Sequence, residues 1–64
     1  MPAEVKDVEE FVQLSERASE CRVKRLGNLV KLKLRTPKRL YTIKVEEDIA
    51  EEILKRVKCP VREL

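Results

Sequence analysis

The sequence predicts an α+β fold, a three-stranded antiparallel meander with two helices packed on one face in the order α-β-β-β-α. Apolar residues recur at helical spacing near both ends of the chain and alternate with basic residues at period two between them. Two turn signals divide this alternating segment into three strands. We expect the 64 residues to form one small domain over residues 1–64, because a chain of this length builds a single core.

A first helix is predicted from about residue 8 to about residue 19. Asp7 is a suitable N-cap, and Glu10, three residues further on, completes a capping-box pattern. The apolar residues that follow recur every three or four positions and form one stripe. They are Val8, Phe11, Val12, Leu14 and Ala18.

The strand pairing follows from the turns. Gly27-Asn28 is typical of a two-residue hairpin turn, which sets Arg22 opposite Lys33 and Lys24 opposite Lys31. A register shifted by one residue would mix the apolar and basic faces. The segment 36–39, which contains a proline, reads as a four-residue loop that sets Lys31 opposite Lys44.

The second helix is indicated by its charges. Glu46, Glu47 and Asp48 lie at its start, while Lys55 and Arg56 lie near its end, the arrangement that the helix dipole favours. A proline at position 60 stops the helix, and residues 61–64 fit a short terminal strand. We expect both helices to cover the apolar face of the sheet and to leave the other face open.

The charges of the chain are segregated. The segment from Cys21 to Lys44 contains nine basic residues and no acid, whereas all 12 acidic residues lie outside it. Segregation of this kind indicates an anionic partner, with nucleic acid as the first candidate. The candidate RNA-binding residues are Arg22, Lys24, Arg25, Lys31, Lys33, Arg35, Lys38, Arg39 and Lys44.

Three other interpretations of these cations are open. They could keep an exposed sheet soluble, dock on an acidic protein partner, or contact a membrane surface. The membrane is disfavoured because neither helix has a basic polar face. The two aromatic residues, Phe11 and Tyr41, both lie on apolar faces, so bases have nothing to stack on. This absence favours contacts to the phosphate backbone of folded RNA.

The composition argues against catalysis and metal binding. The chain has no histidine and two cysteines, Cys21 and Cys59, which cannot complete a four-ligand zinc site. We expect two buried free thiols, with a disulfide as the alternative. A catalytic cysteine would need a base, so we expect neither an enzyme nor a cofactor. No signal peptide or membrane span is predicted, and no small-molecule substrate is implied.

The chain resembles the L38e family of ribosomal proteins. The similarity rests on residues 30–35 (Val-Lys-Leu-Lys-Leu-Arg), on residues 40–42 (Leu-Tyr-Thr), on the opening Met1-Pro2, on an acid-bearing segment from Asp7 to Phe11 and on the ending at residues 61–64. The resemblance implies a structural constituent of the large ribosomal subunit in the cytoplasm, bound to ribosomal RNA and near other ribosomal proteins. The alternating basic strand of that family corresponds to Lys31, Lys33 and Arg35.

One feature differs from eukaryotic members of this family. Their first hairpin loop is longer and rich in lysine, whereas here it is reduced to Gly27-Asn28. The short turn and a composition rich in Glu, Lys and Arg indicate an archaeal member.

Overall fold

The computed structural model describes residues 3–63 and contains two helices and five strands. In chain order they are β1 (Ala3–Glu4), α1 (Val8–Ser15), β2 (Glu20–Leu26), β3 (Leu29–Arg35), β4 (Leu40–Glu46), α2 (Glu47–Arg56) and β5 (Val61–Glu63). The α+β class is confirmed. Met1, Pro2 and Leu64 lie outside the described residues. Met1 and Pro2 were part of the family resemblance, and Leu64 was part of both that resemblance and the predicted terminal strand.

The sheet is larger than the predicted meander. Its five strands have the order β1-β4-β3-β2-β5, with β1 parallel to β4 and β5 parallel to β2. The predicted short terminal strand is present as β5 (Val61–Glu63), whereas β1 was not predicted. The prediction of a three-stranded antiparallel meander was therefore incomplete, because both outer strands of the meander gain a short parallel neighbour. Segments of two and three residues are too short to show a period, yet they satisfy backbone groups that an open sheet edge leaves unpaired.

The three central strands pair in the predicted registers. Arg22 lies opposite Lys33, and Lys31 lies opposite both Lys24 and Lys44. Gly27 has a φ of 61° and no other described residue has a positive φ, which suits a turn with glycine at its first central position. The second loop closes between Arg35 and Leu40, as predicted.

One hydrophobic core lies between the sheet and both helices. Alternate residues of β2, β3 and β4 point into it, and α1 and α2 contribute Phe11, Val12, Ala50 and Ile53. The two helices therefore cover the same face of the sheet, as predicted. We call the other side the open face; it carries the alternate positions of the strands.

Helix α1 begins as predicted but ends four residues early. Asp7 is the N-cap, and its carboxylate accepts a hydrogen bond from the backbone N–H of Glu9 at 3.0 Å. The predicted end at residue 19 was wrong because Ser19 already donates its backbone N–H to the carbonyl of Arg35 at 2.7 Å. Residues that pair with β3 cannot also remain in the helix, so the chain turns between them.

Ser15 closes the end of α1 and joins it to the segment after α2. Its side chain is fully buried, and its hydroxyl donates to the carbonyl of Val12. The same oxygen accepts the backbone N–H of Lys58 at 3.1 Å. A buried hydroxyl with both a donor and an acceptor partner costs little to bury, whereas the loss of one partner is expensive.

An ion pair on the protein surface links the two helices. Both terminal nitrogens of Arg56 donate to the carboxylate of Glu9 at 2.8 Å. This hydrogen bond, together with the charge of Arg56, lowers the pKa of Glu9. The pair therefore stabilises the fold above the ordinary pKa of a glutamate and ceases to do so as the pH falls through the lowered value.

Both cysteines are buried and free. Burial raises the pKa of Cys21 to about 12, and the nearby Cys59 adds to this shift. Burial also raises the pKa of Cys59. Thiols of this kind pack as small apolar groups and are poor nucleophiles. Within residues 3–63, neither helix is long and apolar enough to cross a membrane.

The substitution Ser15→Ala should lower the free energy of unfolding by about 1–3 kcal/mol, because it leaves the amide of Lys58 without an acceptor. Urea denaturation would measure the change. Ser19→Ala is the matched control, since Ser19 is exposed and its hydroxyl bonds only the carbonyl of Arg35. Equal effects of the two substitutions would contradict the role assigned to Ser15.

Thiol labelling should separate the folded from the unfolded chain. At pH 8 in native buffer, we expect iodoacetamide to modify Cys21 no faster than the protein unfolds, because the raised pKa leaves almost no thiolate and burial blocks access. In denaturant, both cysteines should react at once. Rapid labelling of Cys21 in the native protein, followed by mass spectrometry, would disprove its burial.

Candidate nucleic-acid interface

Six of the nine candidate residues lie on the open face. Alternation along the strands and the pairings of β2 with β3 and of β3 with β4 place them there. Their side chains are exposed or half-buried, whereas the apolar residues that alternate with them are in the core or packed against it. The six are Arg22, Lys24, Lys31, Lys33, Arg35 and Lys44.

Arg25 lies on the opposite side of the sheet. It is paired in register with the buried Val30, and its guanidinium forms ion pairs with Glu63 at 2.7 Å and Glu47 at 3.2 Å. The structure thus separates Arg25 from the six cations of the open face and gives it two acidic partners. A sequence window counts Arg25 with the others because it ignores which way a side chain points.

Lys38 and Arg39 lie in the loop between β3 and β4, at one end of the open face. Both are exposed. The loop is held by Thr36, whose hydroxyl accepts the backbone N–H of Arg39 at 3.1 Å and donates to its carbonyl. This fixed loop carries the two cations beyond the strand ends, close to Arg35 in the chain.

The open face has an internal counterion that the sequence analysis missed. Glu20, the first residue of β2, lies within 3.3 Å of Arg22, 3.8 Å of Arg35 and 4.0 Å of Arg62. The segment from Cys21 to Lys44 is free of acids, but the open face is not, because Glu20 directly precedes that segment. Period two in β2 was the signal that could have found Glu20, because it places residues 20, 22 and 24 on one side.

Arg62 is a seventh cation on this face. It lies in β5 and is paired in register with Arg22, so the two side chains point to the same side. Sequence reasoning had no signal for this residue. Its position depends on the parallel pairing of β5 with β2, and three residues do not reveal which strand they will join.

The lysines of the open face have no such compensation. Within residues 3–63, none of Lys24, Lys31, Lys33 and Lys44 forms an ion pair. Lys31 is flanked by Lys24 on one side and Lys44 on the other. Cross-strand pairs of like charge destabilise a sheet, so the protein pays a cost in stability for this arrangement.

The edges of the open face differ from its centre. Glu4 and Glu46 are exposed at positions whose register partners, Thr42 and Leu29, belong to this face. Leu26 and Leu29, on either side of the first turn, are each 42% exposed. The basic surface is thus bounded by single acids and by one apolar pair.

The arrangement of these side chains supports anion binding and offers little for catalysis. No group of three or more potential metal ligands occurs among the described residues. Cys21 is the most deeply buried thiol and has no imidazole neighbour, since the chain lacks histidine. What the open face presents is a set of ammonium and guanidinium groups spaced along four neighbouring strands, β4, β3, β2 and β5.

Comparison with known proteins shows the family of the chain. The sequence pattern of the Ribosomal L38e protein family matches residues 1–60. The chain is also similar to the large ribosomal subunit protein eL38 of Aeropyrum pernix, with 48% identity over 64 residues. The matched region covers 100% of this chain and 96% of the relative. The family that the strand and terminal segments resembled is thereby confirmed: the chain belongs to the Ribosomal L38e protein family.

Proposed function

We propose that the protein is a structural constituent of the large ribosomal subunit and that its open face binds folded ribosomal RNA through contacts to phosphates. The first part follows from membership of the family and from the printed name of the Aeropyrum pernix relative. Its place is then the cytoplasmic ribosome, and its partners are ribosomal RNA and neighbouring ribosomal proteins. A member of a ribosomal protein family is a structural protein rather than an enzyme.

The uncompensated lysines are the observation that carries the RNA-binding part. Lys24, Lys31 and Lys44 stand side by side on three neighbouring strands without an acidic partner in the described chain. In the free protein they repel each other. Phosphates placed over them replace repulsion by attraction and release the counterions that RNA had condensed.

The lack of aromatic residues on the open face determines the mode of binding. Phe11 is fully buried, and Tyr41 packs against the core on the other side of the sheet. Sheets that read single strands stack bases on exposed aromatics, and this sheet has none to offer among its described residues. Contacts to the backbone of RNA that is already folded are the mode that remains.

The helix side of the protein favours one orientation on RNA. Exposed acids line both helices; they are Glu9, Glu10, Glu47, Asp48, Glu51 and Glu52. RNA is repelled from this layer and attracted to the open face, so the charge distribution orients the protein before contact. The helices then face solvent or a neighbouring protein.

Affinity for large-subunit ribosomal RNA should fall steeply with salt. If six to eight phosphates are engaged, a plot of log affinity against log salt concentration should have a slope of roughly −4 to −7. Filter binding at KCl concentrations from about 50 to about 300 mM would measure this slope. A slope near zero would exclude the phosphate mechanism.

Reversal of Lys31, Lys33 and Arg35 to Glu should abolish incorporation into large subunits without unfolding the protein. The acids at positions 31 and 33 would face Lys24, Lys44 and Arg22 across the sheet, and opposite charges in such pairs stabilise by about 0.2–1 kcal/mol each. These gains offset the like-charge pair that an acid at position 35 makes with Glu20. Sedimentation with subunits measures incorporation, and thermal unfolding followed by circular dichroism checks the fold.

The matched control reverses Arg17, Lys55 and Lys58, which are exposed and lie outside the sheet. Each triple variant lowers the chain's net charge of +3 by six units, two for each residue. The control should retain most incorporation. If both triple variants lost incorporation into large subunits to the same extent, net charge rather than the open face would account for binding.

Docking of the same face on an acidic protein is the competing function. It predicts that the partner remains bound after ribonuclease treatment of a lysate, whereas the RNA-bound protein should be released from large subunits.

A further inference from the structure

Glu20 is surrounded by three arginines from three different strands. Arg22 lies two residues after Glu20 in β2, on the same side of the strand, and Glu20 is the one acid of that strand. Arg35 lies directly opposite Glu20 on β3, and Arg62 comes from β5. The carboxylate oxygens lie 3.3, 3.8 and 4.0 Å from guanidinium nitrogens of these residues. The side chain of Glu20 is only 18% exposed, so it is held at the centre of the cluster.

The cluster keeps a net positive charge and free donors. One carboxylate against three guanidinium groups leaves two positive charges uncompensated, and a guanidinium has five N–H donors. The side chains of Arg35 and Arg62 are 63% and 70% exposed. The Nε of Arg22 is buried and donates to no described atom. Arg22 is thus hydrogen-bonded to Glu20, whereas Arg35 and Arg62 lie within ion-pair distance of it and keep most of their surface exposed.

An open hollow lies beside the cluster. Arg22, Lys33, Arg35 and Leu40 line it, and its volume is about 360 Å³. Three of its four lining residues are cations from β2 and β3, so an anion entering it meets positive charge from two neighbouring strands. Guanidinium groups match the geometry of phosphate oxygens and bind them in pairs.

We propose that Glu20 gathers Arg22, Arg35 and Arg62 into one phosphate-binding subsite, so that an acidic residue increases the affinity of the open face for RNA. This inference rests on the proposed function and deepens it. It distinguishes an ordered arginine subsite at the β5 side of the sheet from the lysine row, which acts through charge alone.

Two opposed effects of Glu20 decide whether it raises or lowers the affinity of the open face for RNA. The repulsion of its charge from a phosphate about 7 Å away is worth about threefold in affinity at the dielectric constant of water and about fiftyfold at the effective constant of about 20 that applies near a protein surface, and salt reduces it. The ordering of a free arginine on binding costs roughly two- to tenfold for each side chain. These factors multiply over the three arginines, and we infer that together they exceed the screened repulsion.

The test is the substitution Glu20→Gln, measured by rebinding to large subunits from which the native protein has been washed with high salt. The variant and the wild type compete, and mass spectrometry gives their ratio. We expect Glu20→Gln to bind about three- to tenfold more weakly, although it makes the protein more basic. Glutamine keeps the size of the side chain but leaves three neighbouring guanidinium groups without their carboxylate. Thermal unfolding is therefore measured in parallel, and binding is compared at a temperature at which both proteins are folded.

Glu4→Gln is the matched control. Glu4 lies on the open face at the opposite edge of the sheet and forms no ion pair with a described residue. Its loss should leave binding unchanged or tighten it slightly, because only repulsion is removed. If Glu20→Gln tightened binding as much as Glu4→Gln does, the inference would be overturned while the proposed function stood.

A second variant tests whether Glu20 acts by positioning Arg62 or only by attaching β5 to the sheet. Arg62→Gln should weaken binding in the wild-type background and weaken it less in the Glu20→Gln background, because an unrestrained Arg62 contributes less. Equal effects in both backgrounds would show that Glu20 does not act through Arg62 and would overturn the subsite. Failure of the wild type itself to rebind would overturn the proposed function as well.

Discussion

The alternation of buried apolar residues with polar, mostly basic, residues along β2, β3 and β4 is the constraint on which the structure depends. Because side chains of a strand point to opposite faces in turn, this pattern creates a face that must be buried and a face that cannot be. The turn at Gly27 holds the register that keeps the two sets apart. Both helices then pack on the apolar side, since no other surface of the sheet can accept them.

The same alternation makes the free protein electrostatically frustrated. A shared register aligns the apolar residues and, on the other side, brings Lys31 between Lys24 and Lys44. Core packing and charge repulsion therefore come from one pattern and cannot be adjusted separately. Packing of the core outweighs the repulsion between the lysines, and an anionic partner would remove this repulsion. The stability of this small domain and the RNA binding that we propose for it are linked in this way.

The open face combines two kinds of cation with different surroundings. The lysines at its centre are uncompensated, while three arginines at the β5 side share Glu20. Compact ammonium groups on flexible stems suit non-specific attraction, whereas planar guanidinium groups suit fixed geometry. β5 is central to this difference, since Arg62 faces Glu20 on the open side and Glu63 binds Arg25 on the other. The short terminal strand thus ties both faces together.

The sequence by itself determined the α+β class, the two hairpin registers, the burial of Phe11 and Cys21 and the six cations of the open face. Each follows from a local period or a turn signal, which act over a few residues. Tertiary structure alone decided the rest. The strand β1, the parallel pairing of β5 with β2, the early end of α1 at Ser15 and the meeting of Glu20 with Arg62 depend on which distant segments become neighbours. Segments of two or three residues have no period of their own, so only the unpaired edges of the finished sheet determine where they lie.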